Sequence, residues 1–496
     1  MKKKYILSID QGTTSTRAIF VNSVGEKVFQ AQRPLDLSYP KPGWVEVDAD
    51  RIWISAIDVI NELLVLADST MDDVAGIGIT NQRETTIVWE KSTGRAVAPA
   101  IVWQSKQTQE LCDAREDKTE FIQSKTGLRM NPYFSASKIR YILDHIPDGQ
   151  KRAEAGELLF GTVDSWLIYK LTRGHHLTDV SNASRTMLYD IFKMDWDEEL
   201  CRIWNIPMAM LPKVQDNSSD FGEASYFPGG VHIYGVAGDQ QAALFGQCCY
   251  HKGDSKNTYG TGCFMLMNIG NKPILSKQGL LTTVAWREEG VTTYALEGSV
   301  FIGGAIVQWL RDQTRWFEDS CDSEMYAEKR PDTAGVYFVP AFVGLGTPWW
   351  DDETRGAIFG LTRGAERHNI TRAGLESIAY QSKDVIEAMK KEAGLELKSL
   401  RVDGGASANK LLMQFQSDIL QCEVHLPVCL ETTALGAAYF AGLTCGFYES
   451  KLDIEKNHAI QMKYSPKMNK EEADERYEGW LCAVSAARAF KPKKHC

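Results

Sequence analysis

Asp239, Arg83 and Glu84 are the side chains whose types and surroundings could hold a small polar substrate and move a proton. Asp239 follows the short apolar run Val236-Ala237-Gly238 and precedes a helical pattern, so its carboxylate stands at a strand end, where it could accept a proton from a substrate hydroxyl. Helix N-capping is the other use of an aspartate at such a place. Arg83 and Glu84 leave the end of a predicted buried strand as an adjacent donor and acceptor. The pair could grip neighbouring hydroxyls of a polyol, or it could be an ordinary solvated ion pair.

A second group of residues suits phosphate. Residues 5–20 read as an apolar strand ending in Asp10, a turn of Gly12, Thr13, Thr14 and Ser15, and a second strand. Gly12 lets the backbone approach a ligand, the hydroxyls and amides are donors, and Asp10 can face a hydrated Mg²⁺. An ordinary β-hairpin uses the same residues. The pattern returns at residues 255–268, around Gly260, Thr261 and Gly262, and a third turn, Asp403-Gly404-Gly405, follows a strand and leads into a helix expected from Ser407. Three such turns in one chain favour a nucleotide cleft over unrelated turns. No Walker-type loop and no dinucleotide-binding glycine fingerprint is present, and Asp220-Phe221-Gly222 lacks the companion motifs of a protein kinase.

These turns need strands and helices to hold them. The first half continues with a strand at 27–32, a helix at 49–67 and a buried strand at 74–80. The second continues with helices at 303–313 and 372–392, a strand at 399–402 and a helix at 407–420, and the chain closes with a helix at 469–490 packed on the second half. Strands alternating with helices indicate an α/β fold in two similar halves, 1–250 and 251–496, the latter including the helical segment from about 450. The junction, with no Gly/Ser/Pro linker, is expected as a tight hinge near 250–254.

Composition narrows the class. With 496 residues the chain exceeds what one core serves, and 44% hydrophobic with 24% charged residues is ordinary globular composition. A net charge of −10 without a basic cluster disfavours nucleic acid. Lys2, Lys3 and Lys4 precede too short an apolar run for a secretory signal, and no uncharged run is long enough for an integral membrane segment, so a cytoplasmic protein is expected. Eleven scattered cysteines with no Cys-x-x-Cys spacing suggest reduced thiols, with Cys248 and Cys249 as packing residues.

Taken in order, Asp10-Gln11-Gly12-Thr13-Thr14-Ser15, Asn81-Gln82-Arg83-Glu84-Thr85, Gly238-Asp239-Gln240-Gln241, Tyr259-Gly260-Thr261-Gly262 and Asp403-Gly404-Gly405 resemble the FGGY carbohydrate kinases, and the likeness covers nearly the whole chain. The Asn-Gln-Arg-Glu-Thr string is similar to that of the members that phosphorylate glycerol. The resemblance implies two ribonuclease-H-like domains of the actin/hexokinase ATPase type with the active site in the cleft between them, and ATP-dependent conversion of glycerol to sn-glycerol 3-phosphate. It implies that Arg83, Glu84, Tyr133, Asp239 and Gln240 hydrogen-bond glycerol while Trp103 and Phe264 cover its carbons, with Asp239 as the catalytic base. It further implies that Thr13, Thr14, Ser15, Arg17 and Thr261 contact the phosphates of ATP, that Gly304, Gln308, Gly405 and Asn409 contact the nucleoside, and that Asp10 and Asp239 lie near Mg²⁺. Glycerol, ATP/ADP and further copies of the chain in a homo-oligomer are the partners expected.

One loop departs from part of the family. Residues 228–235 carry no arginine, which enterobacterial-type members use to bind fructose 1,6-bisphosphate. The loop resembles instead the Gram-positive type, in which a histidine is phosphorylated by the phosphotransferase-system histidine phosphocarrier protein; here that residue is His232, with an exposed loop histidine as the alternative. A kinase of another small polyol or ketose, and a nucleotide-switched actin-like ATPase that is not a kinase, are the competing functions. The second does not require Arg83 and Glu84.

Overall fold

Ile6, Leu7, Ser8 and Ile9 are all fully buried, as a strand covered on both faces must be. In the computed structural model, which describes residues 3–491 and so leaves Lys2 and Cys496 outside, Tyr5–Gln11 is the middle strand of a five-stranded sheet. Ser15–Val21 pairs with it antiparallel and Lys27–Pro34 continues the meander. On the other side Val74–Asn81 and then Ile233–Gly238 add in parallel. Helix Ala49–Leu66 covers this sheet with Ile52, Ala56, Val59, Ile60 and Leu63.

The second half repeats the plan. Ser255–Tyr259, Cys263–Gly270 and Val291–Val300 form the antiparallel meander, and Ser399–Asp403 and Glu423–Pro427 add in parallel on the far side. The order third, second, first, fourth, fifth is therefore the same in both sheets. Four strands of the second sheet do not follow from the sequence reading: Val291–Val300 and Glu423–Pro427 within it, and Leu281–Glu288 and Ile460–Tyr464 at its edges.

Other expected elements shift. The long helix runs Arg367–Ala393, starting earlier than expected, where the Glu366 N–H donates to Asn369 Oδ1 (3.2 Å). The helix expected from Ser407 is split. Gly405–Ala408 is a 3₁₀ turn, and the α-helix Lys410–Leu420 begins only after Asn409, whose Oδ1 accepts from the Leu412 N–H (2.9 Å). Helix Lys470–Ala489 starts after Asn469 and buries Trp480, which stacks on Tyr380 at 5.4 Å.

The halves join through the helices that follow each fifth strand. Asp239–Gly246 and Thr432–Thr444 pack on each other so closely that a Cβ on Gly246 would collide with the Thr432 carbonyl and one on Gly436 with that of Ala242. Thr432–Thr444 also lies on the first sheet, where Gly78 and Gly235 face the backbone of Ala437 and Ala441. Cys248 and Cys249 are buried in the apolar cluster between the sheets. The long excursion between the fourth and fifth strands of the first sheet, residues 82–232, carries Trp103, Tyr133 and Arg185. No described helix is long and apolar enough to cross a membrane.

Candidate functional site

Each hairpin of the two meanders turns toward the other half. The first is closed by the Gly12 N–H donating to Ser15 O (2.9 Å), with Thr13 and Thr14 between, and Thr13 Oγ1 accepts from Trp103 Nε1 (2.8 Å). Arg17, two residues past Ser15, reaches Glu431 and lies 3.6 Å from Asp10 Oδ2. In the second hairpin Gly260 N–H donates to Gly262 O (2.9 Å), and the Gly303 and Gly304 amides donate to Thr261 O and Gly260 O (both 2.8 Å). A Cβ on Gly304 would sit 2.8 Å from Gly260 O, so this approach requires glycine.

The third turn closes on the second. Gly404 has φ +86° and presses on Tyr259, where a Cβ would come within 2.6 Å of the carbonyl oxygen. Gly405, by contrast, has nothing within 4 Å on its Cβ side. Gln308 is exposed on helix Ala305–Asp312, and the amide nitrogen of Asn409 is left with one long contact, 3.5 Å to Ser323 Oγ. Gly304, Gly405 and Asn409 thus border one open, largely backbone-lined edge.

Across the cleft, aromatic rings meet from both halves. Trp103 packs edge-on to Tyr133 (5.5 Å) and to Phe264 of the second half (6.2 Å). Beneath them Arg83 is 3% and Glu84 1% exposed, so the pair is no solvated surface feature. Glu84 holds φ +59°, a left-handed backbone unusual for glutamate, with its carbonyl accepting from Ser135 Oγ (3.1 Å) and Lys138 Nζ (3.4 Å). Arg83 Nε lies 3.2 Å from Asp239 Oδ1 and 3.8 Å from Glu84 Oε1. Asp239 does not cap its helix: Gly238 takes that position, and the Asp239 carboxylate keeps 29% of its surface open while accepting from the Gln240 N–H (2.7 Å).

The charges are tuned by burial. Burial pushes the Asp10 carboxyl up to about 7, against the pull of Arg17 and with a further push from Glu431 and Asp239. Burial also raises Asp239, opposed by Arg83 and Lys256. Lys256, pushed down by burial to about 8, donates to Gln240 Oε1 and to Thr258 Oγ1 (2.8 Å). Two carboxylates of the first half, Asp10 near the end of the middle strand and Asp239 just past the end of the edge strand Ile233–Gly238, suit a hard cation that keeps waters and shares phosphate oxygens. Among the described residues no cluster of three or more His, Cys, Asp or Glu makes an all-protein metal cage.

Sequence reasoning missed Arg185, Glu297 and Lys256. Arg185 is fully buried and donates through Nε to Glu84 Oε1 (2.6 Å) and through Nη2 to Glu297 Oε1 (3.0 Å). Glu297 also takes Arg83 Nη1 and Nη2 (2.6 and 3.0 Å). Burial alone would raise its carboxyl, but Arg185 and Arg83 hold it down at about 2. A signal existed for Glu297: it is a lone charge within the apolar stretch Ala295-Leu296-Glu297-Gly298-Ser299-Val300. His232 stands apart from the cleft, its Nδ1 2.9 Å from Asp220 Oδ1 and its ring stacked on Tyr234.

The model of the N-terminal domain of the FGGY family of carbohydrate kinases matches residues 5–246, and that of the C-terminal domain matches 255–445. The chain is 54% identical over 497 aligned positions to glycerol kinase of Halalkalibacterium halodurans and 53% to that of Listeria monocytogenes, in each case covering 99% of this chain and 100% of the relative. Among solved structures, Plasmodium falciparum glycerol kinase with ADP superposes with a TM-score of 0.92 at 37% identity, covering 98% of this chain and 99% of that one. A xylulose kinase from Lactobacillus acidophilus, at 21% identity and TM-score 0.88 over 98% of both chains, shares the fold.

Proposed function

The chain belongs to the FGGY family of carbohydrate kinases, and from that premise we propose that it transfers the γ-phosphoryl group of ATP to glycerol, giving ADP and sn-glycerol 3-phosphate. The observation that carries the substrate is the meeting of Arg83, Glu84 and Asp239 under the rings of Trp103, Tyr133 and Phe264. A triol needs paired donors and acceptors for its hydroxyls and apolar walls for its carbons, and this corner offers both. Glycerol kinases at 53–54% identity over the full chain, and the ADP-bound relative, support the same substrate pair.

In this reading Arg83, Glu84, Tyr133 and Gln240 fix two hydroxyls, and Asp239 accepts the proton of the terminal one as its oxygen attacks the γ-phosphorus. Thr13, Thr14, Ser15 and Thr261 present donors to the phosphates, and Arg17 joins them by leaving Glu431. Gly304, Gln308, Gly405 and Asn409 receive the nucleoside. Asp10 and Asp239 would hold Mg²⁺, which when bound neutralises phosphate charge. Asp239→Asn should keep the fold and ADP binding while kcat falls roughly 10²- to 10⁴-fold. Near-normal turnover in a coupled ADP-release assay would reject Asp239 as the base.

For His232 the reading is a site of covalent regulation by the phosphotransferase-system phosphocarrier. Asp220 occupies Nδ1, leaving Nε2 of a side chain that is 33% exposed as the nucleophile. The carrier's N–P bond breaks as the Nε2–P bond forms. The next residue begins strand Ile233–Gly238, which ends immediately before Asp239, so one short element links the modified loop to the base. Mass analysis after incubation with the phosphorylated carrier should find one phosphoryl group in wild type and none in His232→Ala; an unmodified wild type ends this reading.

A further inference from the structure

Two arginines and two glutamates are buried together at the floor of the cleft, and only part of that cluster belongs to the glycerol site described above. Arg83 gives both terminal nitrogens to Glu297, and its Nε forms an ion pair with Asp239 Oδ1 at 3.2 Å. Arg185 gives Nε to Glu84 and Nη2 to the same Glu297 oxygen that accepts from Arg83 Nη2. The result is a continuous chain of charges, Glu84 to Arg185 to Glu297 to Arg83 to Asp239. Its second and third members touch no residue assigned to ATP, and its ends and fourth member are the three side chains proposed to grip glycerol.

We propose that Arg185 and Glu297 are positioning residues for the kinase reaction: Glu297, reaching in from the second half, locks Arg83 and Arg185 of the first half, and through them Glu84 and Asp239, into the spacing that glycerol requires. This rests on the glycerol reading of the site. Three features support it beyond packing. Glu84 and Arg83 are sequence neighbours, yet their closest charged atoms stand 3.8 Å apart because each is drawn to a different partner, Arg185 and Glu297. The Arg83–Glu297 contact is a two-point fork, which fixes the guanidinium plane as well as its distance. Glu297 is the one member contributed by the second sheet, from strand Val291–Val300, so the glycerol grip is complete only with the halves together.

The consequence is a coupling between substrates. The nucleoside is proposed to bind at turns of the second half, and the hydroxyls of glycerol at side chains of the first that a second-half carboxylate holds in place. Each ligand should favour the arrangement that receives the other, with reciprocal effects on the two affinities. An amide at position 297 can keep the oxygen that both arginines share, but it sets an NH₂ donor against Arg83 Nη1 in place of the second carboxylate oxygen and removes the negative charge between the two guanidiniums, so the two-point fork is lost.

The test uses the full-length enzyme with Glu297→Gln and Arg185→Lys. Wild type is assayed first, because absence of glycerol-dependent ADP release there would defeat the glycerol reading itself and not this inference. Given an active wild type, Glu297→Gln should raise KM for glycerol at least tenfold, leave Kd for ADP in the absence of glycerol within twofold, and lose the tightening of ADP binding that saturating glycerol produces. Glu297→Asp, which keeps both oxygens, should recover part of that loss. Unchanged KM for glycerol in folded Glu297→Gln overturns the proposal, as does an equal loss of ADP and glycerol affinity. If Glu297→Gln does not fold, Arg185→Lys decides on the same criteria, and if neither folds the cluster is a folding element and the positioning role is rejected.

Discussion

The Trp103 indole is the side chain that joins the two chemical regions of the cleft. Its ring faces Tyr133 and Phe264, while its Nε1–H donates to Thr13 Oγ1 in the turn proposed to hold phosphate. A hydrogen bond of this kind contributes about 0.5–1.5 kcal/mol. Trp103→Phe keeps an aromatic wall and deletes the bond, so kcat/KM for ATP should fall by roughly 2- to 12-fold. Steady-state kinetics with ATP varied at saturating glycerol measures it, and an ATP dependence equal to wild type would show that Thr13 needs no such anchor. Arg83 and Glu84 could be picked out from sequence because a strand end is where α/β proteins keep functional side chains. Their burial could not, because the groups that make it tolerable lie far along the chain: Arg185 is 101 residues from Glu84, and Glu297 is 214 from Arg83. Local patterns report on neighbours within a turn or a strand pair; compensation of buried charge is a tertiary fact.

Elements were legible where a single period ran uninterrupted. The hairpins at Asp10 and Gly260 and the helix Ala49–Leu66 follow directly from alternation and helical spacing, whereas the third strand of the second meander, Val291–Val300, does not. Helix Lys410–Leu420 was misplaced at its start because Asn409 outcompetes the preceding turn for the capping role, and edge strand Ile460–Tyr464 was hidden by its mostly exposed residues. Glycines separate the elements that hold the fold from those that meet ligand. On helix Thr432–Thr444, Gly436 faces the Ala242 carbonyl with no room for a methyl group, and the neighbour there is backbone that cannot rotate away. Gly436→Ala should therefore cost about 1–3 kcal/mol or more of stability, read as a lower midpoint in urea unfolding. Gly405→Ala meets no protein atom, so its midpoint should stay near wild type while KM for ATP rises. A Gly405→Ala enzyme with wild-type nucleotide affinity would remove that turn from the nucleoside site.

At the scale of the whole molecule, two sheets of one strand order face each other and exchange their last helices, so that the cleft walls come from different halves. Phe264 is where this matters most for chemistry. It stands on strand Cys263–Gly270, directly after the turn that carries Thr261, and its ring meets Trp103 of the other half. A phosphoryl group poised for transfer is equally open to attack by water, and in the proposed reaction these rings would exclude water from the acceptor corner. Phe264→Ala removes the second half's share of that wall without touching a charged group. KM for glycerol should rise, because the apolar cover of its carbons is lost, and ATP hydrolysis without glycerol should increase relative to glycerol phosphorylation. The ratio of ADP released with and without glycerol reads both effects, and it should fall well below the wild-type ratio. A variant that loses glycerol affinity while keeping a negligible basal hydrolysis would mean that water is shut out by closure of the halves as bodies and that the ring serves substrate fit alone.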